Sequence, residues 1–186
     1  MTRSAIIVLD HYTRGAVWLH WIVAALVLVN LVIGLLHDSL LEGVRGAIPF
    51  HMAIGLCVLV LTVARVAWRL VYRPPPPPAK SAAWERAVAG LAHGAFYLLL
   101  LALPITGWML VSRKPVGVAF SWLGVFDVPA LPISRAASGA AHSAHGLLGY
   151  AMVGLIVLHV CAALRHHFVL RDGTLTRMIP ALARPK

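Results

Sequence analysis

The chain has 186 residues and a formal net charge of +10, yet only 12% of its residues are charged and 60% are hydrophobic. Soluble globular domains carry about a quarter charged residues, so this chain has too little polar surface to coat a water-soluble globule. The basic excess lies beside apolar segments, where membrane topology accounts for it, so no nucleic-acid partner is expected.

Four apolar segments follow in chain order, approximately 16–36, 47–70, 88–111 and 143–169. Each has about 20 residues or more, enough to cross a hydrocarbon core of roughly 30 Å as a helix. No barrel-like alternation is present, so the sequence predicts an all-α, four-helix transmembrane bundle forming a single domain over residues 1–186. The first segment holds His20 and Asn30 and lacks a small-residue cleavage pattern, so it is expected to stay in the membrane. Cys57 and Cys161 both lie inside apolar runs and read as small buried residues, not as a disulfide framework. Pro104 sits inside the third segment and is expected to bend it. Residues 74–78 are all proline and form a stiff spacer between segments two and three.

The loops are asymmetric in charge. Arg3, Arg14, Arg65, Arg69, Arg73, Lys80, Arg86, Arg165, Arg171, Arg177, Arg184 and Lys186 fall on the side of the termini. Only Arg45, Arg113, Lys114 and Arg135 fall on the other. The positive-inside rule then puts both termini in the cytoplasm.

Histidines inside membrane segments mark function more often than not. With about 1.5 Å of rise per residue, His20 lies near the cytoplasmic end of the first helix and His51 near the periplasmic end of the second. On the fourth helix His145 is near the periplasmic face, and His159 is about 21 Å deeper. Fourteen steps of 100° fall about 40° short of four turns, so these two share a face. The histidines therefore pair by depth, His51 with His145 and His20 with His159. Bis-histidine ligation from facing helices is how bundles hold b-type haem. Ala24, Gly55, Gly149 and Ala163 each follow a candidate ligand by four residues and could leave room for a flat macrocycle. His142, one turn before His145, is an alternative to it. His93 could touch a propionate or a quinone, His166 and His167 mark the interface, and His11 and His37 read as loop or interface residues. No CxxCH is present, so covalent haem attachment is not supported. The six acidic residues all fall in loops or near helix ends, which argues against an ion-transport path through the same histidines.

The segments HWIVAALVL, FHMAIG and HGLLGYAMVGLIVLH followed by RHHF resemble the bacterial cytochrome b561 family. LTVARVAWRLVYRPPPPP, LALPITG and RDGTLTRMIP extend the resemblance over nearly the whole chain, with the loop 112–141 matching less clearly. The resemblance implies a multi-pass inner-membrane protein with two haem b groups and iron ligands at His20, His51, His145 and His159. It also implies a small stand-alone cytochrome of the superoxide:ubiquinone oxidoreductase type, with ubiquinone as electron acceptor or donor. The other reading is an electron-transfer subunit linking quinone to a partner dehydrogenase or hydrogenase. Superoxide is an anion that Arg45, Arg113, Lys114 and Arg135 could attract at the periplasmic rim. For the quinone, Trp108, Trp122 and the cluster around His93 and Arg65 are candidates.

Overall fold

The computed structural model describes residues 11–78, 81–112 and 117–182; Arg3, Lys80, Arg113, Lys114, Arg184 and Lys186 lie outside them. Four helices are long and apolar enough to cross a membrane. They are α1 (Arg14–Leu36), α2 (Ala47–Val71), α3 (Ala83–Val111) and α4 (Arg135–Arg165). Four crossings bring both termini to one side, called here the terminal face; the other is the loop face.

Polar signals at the helix ends set their limits. Thr13 caps α1 by accepting the Ala16 N–H at 3.2 Å, and Ser134 caps α4 by accepting that of Ala137 at 3.1 Å. The Glu85 carboxylate folds back onto the Ala82 N–H at 3.1 Å and starts α3. As a result α3 begins five residues before the expected 88, and α4 eight before the expected 143. The added turns, AWERA and RAASGAAH, hold good helix formers too polar or too small to register as apolar. Hydropathy finds the span and capping finds the helix. α3 continues through Pro104. α4 runs on into a π-helical turn, His166–Leu170, which ends at Arg171 with φ at 51°.

The helices pack in sequence order. α1 lies along α2, α2 along α3 and α3 along α4, while α1 scarcely touches α4 and α2 reaches α4 through side chains across the bundle. The core is small and central: Val23, Ile54, Val58, Leu99, Leu100 and Met152. Leu91, Leu98, Leu147 and Leu158 are exposed and face outward, as lipid-facing side chains do.

α1 and α2 approach closely near the terminal face. A Cβ on Gly15 would lie 2.5 Å from Cζ2 of Trp68. The indole is held there by its bond to Thr13 Oγ1 at 2.9 Å. Gly15→Val is therefore expected to cost about 1–3 kcal/mol of stability by overpacking. Thermal unfolding in detergent, followed by circular dichroism, checks this, and an unchanged midpoint would refute it.

A two-stranded antiparallel hairpin, β1 (Val118–Trp122) and β2 (Phe126–Pro129), covers part of the loop face. It is absent from the all-α expectation. Its turn places Leu123 and Gly124 at φ of 51° and 75°, and two successive positive values make the tight turn that suits strand twist. The two tryptophans weighed as quinone contacts tie this hairpin down. Trp122 Nε1 donates to the Ala53 carbonyl at 3.2 Å, and Trp108 Nε1 donates to that of Pro129 at 2.8 Å.

On the terminal face the C-terminal tail returns across the bundle. Trp21 Nε1 donates to the Met178 carbonyl at 2.8 Å, and Arg177 donates to that of Pro76 in the proline spacer at 2.6 Å. The tail is turned by Asp172, which accepts from the Thr174 N–H at 3.0 Å, the Thr174 hydroxyl at 2.7 Å and His166 Nδ1 at 2.5 Å. Burial alone would raise the Asp172 carboxyl, but the hydrogen bonds from Thr174 and His166 outweigh it and hold it below the usual carboxylate range. A depressed carboxylate stabilises the fold above its unfolded pKa, and that contribution is lost as pH falls through the folded value. The tail is therefore expected to loosen only below about pH 4. Asp172→Asn should loosen it at neutral pH. Hydrogen exchange of the Thr174 and Arg177 amides reads both effects, and unchanged protection in Asp172→Asn at neutral pH would refute the assignment.

Candidate functional site

The bundle brings histidines together at two levels. Near the loop face, His51 in the second turn of α2 lies across the bundle from His145 of α4, with ring centroids 6.0 Å apart. Near the terminal face, His20 of α1 faces His159 of α4 at 6.4 Å. Two imidazoles bound to one metal at about 2.0–2.1 Å each place their ring centroids roughly 6.3 Å apart. Both separations match that value, and neither allows a direct hydrogen bond between the rings.

The nitrogens at the outer level, toward the loop face, are arranged for the same purpose. His51 Nδ1 donates to the Asn30 carbonyl at 3.1 Å, and His145 Nδ1 donates to that of Leu103 at 3.0 Å. Thr106 Oγ1 lies 3.1 Å from the same His145 nitrogen while its hydroxyl donates to Ala102 O at 2.7 Å. A ligating histidine almost always donates its second nitrogen in this way, which fixes the tautomer and frees Nε2. Each ring is also backed by a glycine on a neighbouring helix. A Cβ on Gly34 would lie 2.9 Å from Cε1 of His51, and one on Gly107 would lie 3.1 Å from that of His145. The spacing of small residues four positions after each histidine does not find these two glycines, because they belong to α1 and α3. Gly149 is buried, but a Cβ there would meet nothing within 4 Å.

The inner level, toward the terminal face, is more crowded. His159 has a second imidazole nearby, that of His93 on α3, with centroids 6.1 Å apart. His93 Nδ1 donates to the Ala89 carbonyl at 2.6 Å. Phe96 lies edge-on to His159 at 5.2 Å, and Trp21 edge-on to His20 at 5.0 Å. Arg65 lies 3.2 Å from His20 Nδ1. A guanidinium can only donate, so this contact puts the His20 proton on Nε2. To offer Nε2 to a metal, His20 has to give up Arg65. The packing separates the two partners of His159. α3 lies directly against α4, whereas α1 scarcely touches it. An apolar gap lined by Leu31, Leu35, Val153 and Ile156 opens between α1 and α4 in the loop-face half of α1, away from the level of His20.

The other histidines stand apart. His142 is exposed, His37 pairs with Asp38 at 2.8 Å on the surface, and His166 pairs with Asp172. Among the described residues no three His, Cys, Asp or Glu side chains converge to hold a bare metal ion. Two protein ligands per level suit a macrocycle that brings four donors of its own. Two buried polar atoms, Asn30 Oδ1 and Thr62 Oγ1, lack a hydrogen-bond partner. An interior built of protein alone rarely leaves such atoms unpaired.

The family model described as prokaryotic cytochrome b561 matches residues 11–181. The chain belongs to the prokaryotic cytochrome b561 family. It is 36% identical to cytochrome b561 homolog 2 of Escherichia coli over 166 residues, covering 86% of each chain. It is 32% identical to the probable superoxide oxidase CybB of Yersinia pestis, over 91% of this chain and 96% of that one. It is 31% identical to cytochrome b562 of Cereibacter sphaeroides, over 90% and 94%. As a cytochrome b561 the chain is a multi-pass inner-membrane protein that binds haem b and transfers electrons across the bilayer.

Proposed function

We propose that this cytochrome b561 holds two b haems and moves electrons from superoxide at the loop face to ubiquinone. His51 and His145 would hold the outer haem, and His20 and His159 the inner one. The observation that carries this reading is the pair of imidazole separations, 6.0 and 6.4 Å, at opposite ends of one bundle. The sparse contact of α1 with α4, against the close packing of α3 on α4, favours His20 over His93, because a flat macrocycle needs the two helices to stand apart.

Bound haem b supplies a reversible one-electron couple at each level. The chain decides what that couple can do. A haem held by two of these imidazoles would keep no site open for dioxygen, so the chemistry it would supply is outer-sphere electron transfer. The carbonyls of Asn30 and Leu103 keep the outer imidazoles on one tautomer. Arg45 and Arg135 are exposed at the loop face and would raise the local concentration of a small anion; Arg113 and Lys114 lie outside the described residues. Two superoxide anions each give up one electron and leave as dioxygen. One ubiquinone takes the two electrons and two protons and becomes the quinol. The substrate assignment is supported by the name of the Yersinia relative. The excess of basic residues on the terminal side supports a cytoplasmic terminal face.

The test is steady superoxide generation over the purified holoprotein with a short-chain ubiquinone. Quinol formation at about one per two superoxide anions supports the reading. Failure to form quinol, with the haems still reducible by dithionite, would instead mark the chain as a carrier for a partner redox protein.

A further inference from the structure

One recess on the terminal face lies beside the inner histidine level, with Arg65 shared between the two. It opens where the start of α1, the end of α2 and α3 converge, with a cavity volume of about 40 Å³. Arg65, Arg69 and Arg73 line it together with Tyr12, Trp68 and Tyr97. Arg65 and Arg69 lie one turn apart on one face of α2, about 6 Å along the axis, and Arg73 follows just past the helix end, where the chain turns extended at Tyr72. Arg65 is half-buried beside His20, while Arg69 and Arg73 are exposed. The guanidinium carbons of Arg65 and Arg69 each stand 5.9 Å from the centroid of the Tyr97 ring, so one aromatic face aims both. Trp68 packs against Tyr72 at 4.9 Å and is pinned by Thr13, which gives the recess a rigid wall.

The charges in this recess are one-sided. No carboxylate lines it, and none of the three arginines is in an ion pair among the described residues. Among the described residues the acidic groups of this face are engaged elsewhere, Glu85 with Arg165 at 3.1 Å and Asp172 with His166; Asp10 lies outside them. Like charges one turn apart repel, and a bound anion turns that repulsion into attraction. The guanidinium fork matches a phosphate or carboxylate in two-point contact. The row rises from the bundle interior to the level of the interfacial tryptophan and tyrosines, where lipid headgroups sit.

We propose that Arg65, Arg69 and Arg73 form an oxyanion site for a membrane-held ligand. The ligand is either the phosphate of an anionic phospholipid entering from the leaflet or a propionate of the inner haem reaching out from below. The phosphate source stands without the haem assignment; the propionate source rests on it.

The experiment uses the purified holoprotein in detergent. Native mass spectrometry is run with added phosphatidylglycerol or phosphatidylcholine, beside a redox titration of the haems. If lipid phosphate is the ligand, phosphatidylglycerol adducts exceed phosphatidylcholine adducts about tenfold or more. The Arg69→Gln/Arg73→Gln variant then loses that preference with its haem content intact, and Arg69→Lys keeps most of it. If a propionate is the ligand, neither lipid is preferred, and the double variant lowers one haem midpoint while haem content holds. Arg73→Gln alone, exposed beyond the end of α2, serves in place of the double variant if that one fails to fold. A preference that survives the substitutions overturns the proposal, as does a wild type with no preference whose midpoints are untouched by them. A preparation without haem would sink the electron-transfer reading and leave the lipid measurement standing.

Discussion

His145→Ala is expected to lower the haem content from two per chain to one, and His159→Ala is expected to do the same. The two variants should keep different haems. His145 and His51 share one level through rings 6.0 Å apart, and the carbonyls of Leu103 and Asn30 orient them. Alanine would remove one of the two imidazoles there and leave the inner level, on the far side of the core around Val58 and Met152, unchanged. A pyridine haemochrome assay against protein concentration counts the haems, and low-temperature spectra show which remains. Two haems retained in His145→Ala, or both lost in each variant, would reject two independent levels. Colourless wild-type protein would reject the site altogether.

The second expectation concerns the partner of His159. His20→Ala should lose the inner haem, while His93→Ala should keep both haems. The ring distances, 6.4 and 6.1 Å, do not choose between the partners. The helices do. A macrocycle between His20 and His159 occupies the space between α1 and α4, which are apart. One between His93 and His159 has to force α3 away from α4 along their main contact. The contact from Arg65 to His20 Nδ1 then has to open when haem binds. Electron paramagnetic resonance of the remaining low-spin haem in each variant reads the outcome. Loss of the inner haem in His93→Ala, with retention in His20→Ala, would reassign the pair.

Much of this was legible in the sequence because a bilayer imposes a simple rule: about 20 apolar residues make a span. All four spans and the two histidine levels follow from that rule and the rise of a helix. The ends of α3 and α4 do not, since Glu85 and Ser134 act through hydrogen bonds that hydropathy cannot register. The hairpin was missed because two strands of five and four residues leave only a faint alternation. Its anchoring by Trp108 and Trp122 depends on contacts 21 and 69 residues apart in the chain. Gly34 and Gly107 were invisible for a related reason. Each matters to a ring on another helix, and one sequence without its fold does not say which residues face one another.

The sparse contact between α1 and α4 bears on how the protein is assembled. Helices that pack only on their immediate predecessors can be laid down as they leave the ribosome, each finding its neighbour already in place. The bundle is then a curled strip, not a closed ring. Its free edges carry the imidazoles of His20 and His159, and a prosthetic group sliding in sideways from the lipid can join those edges last.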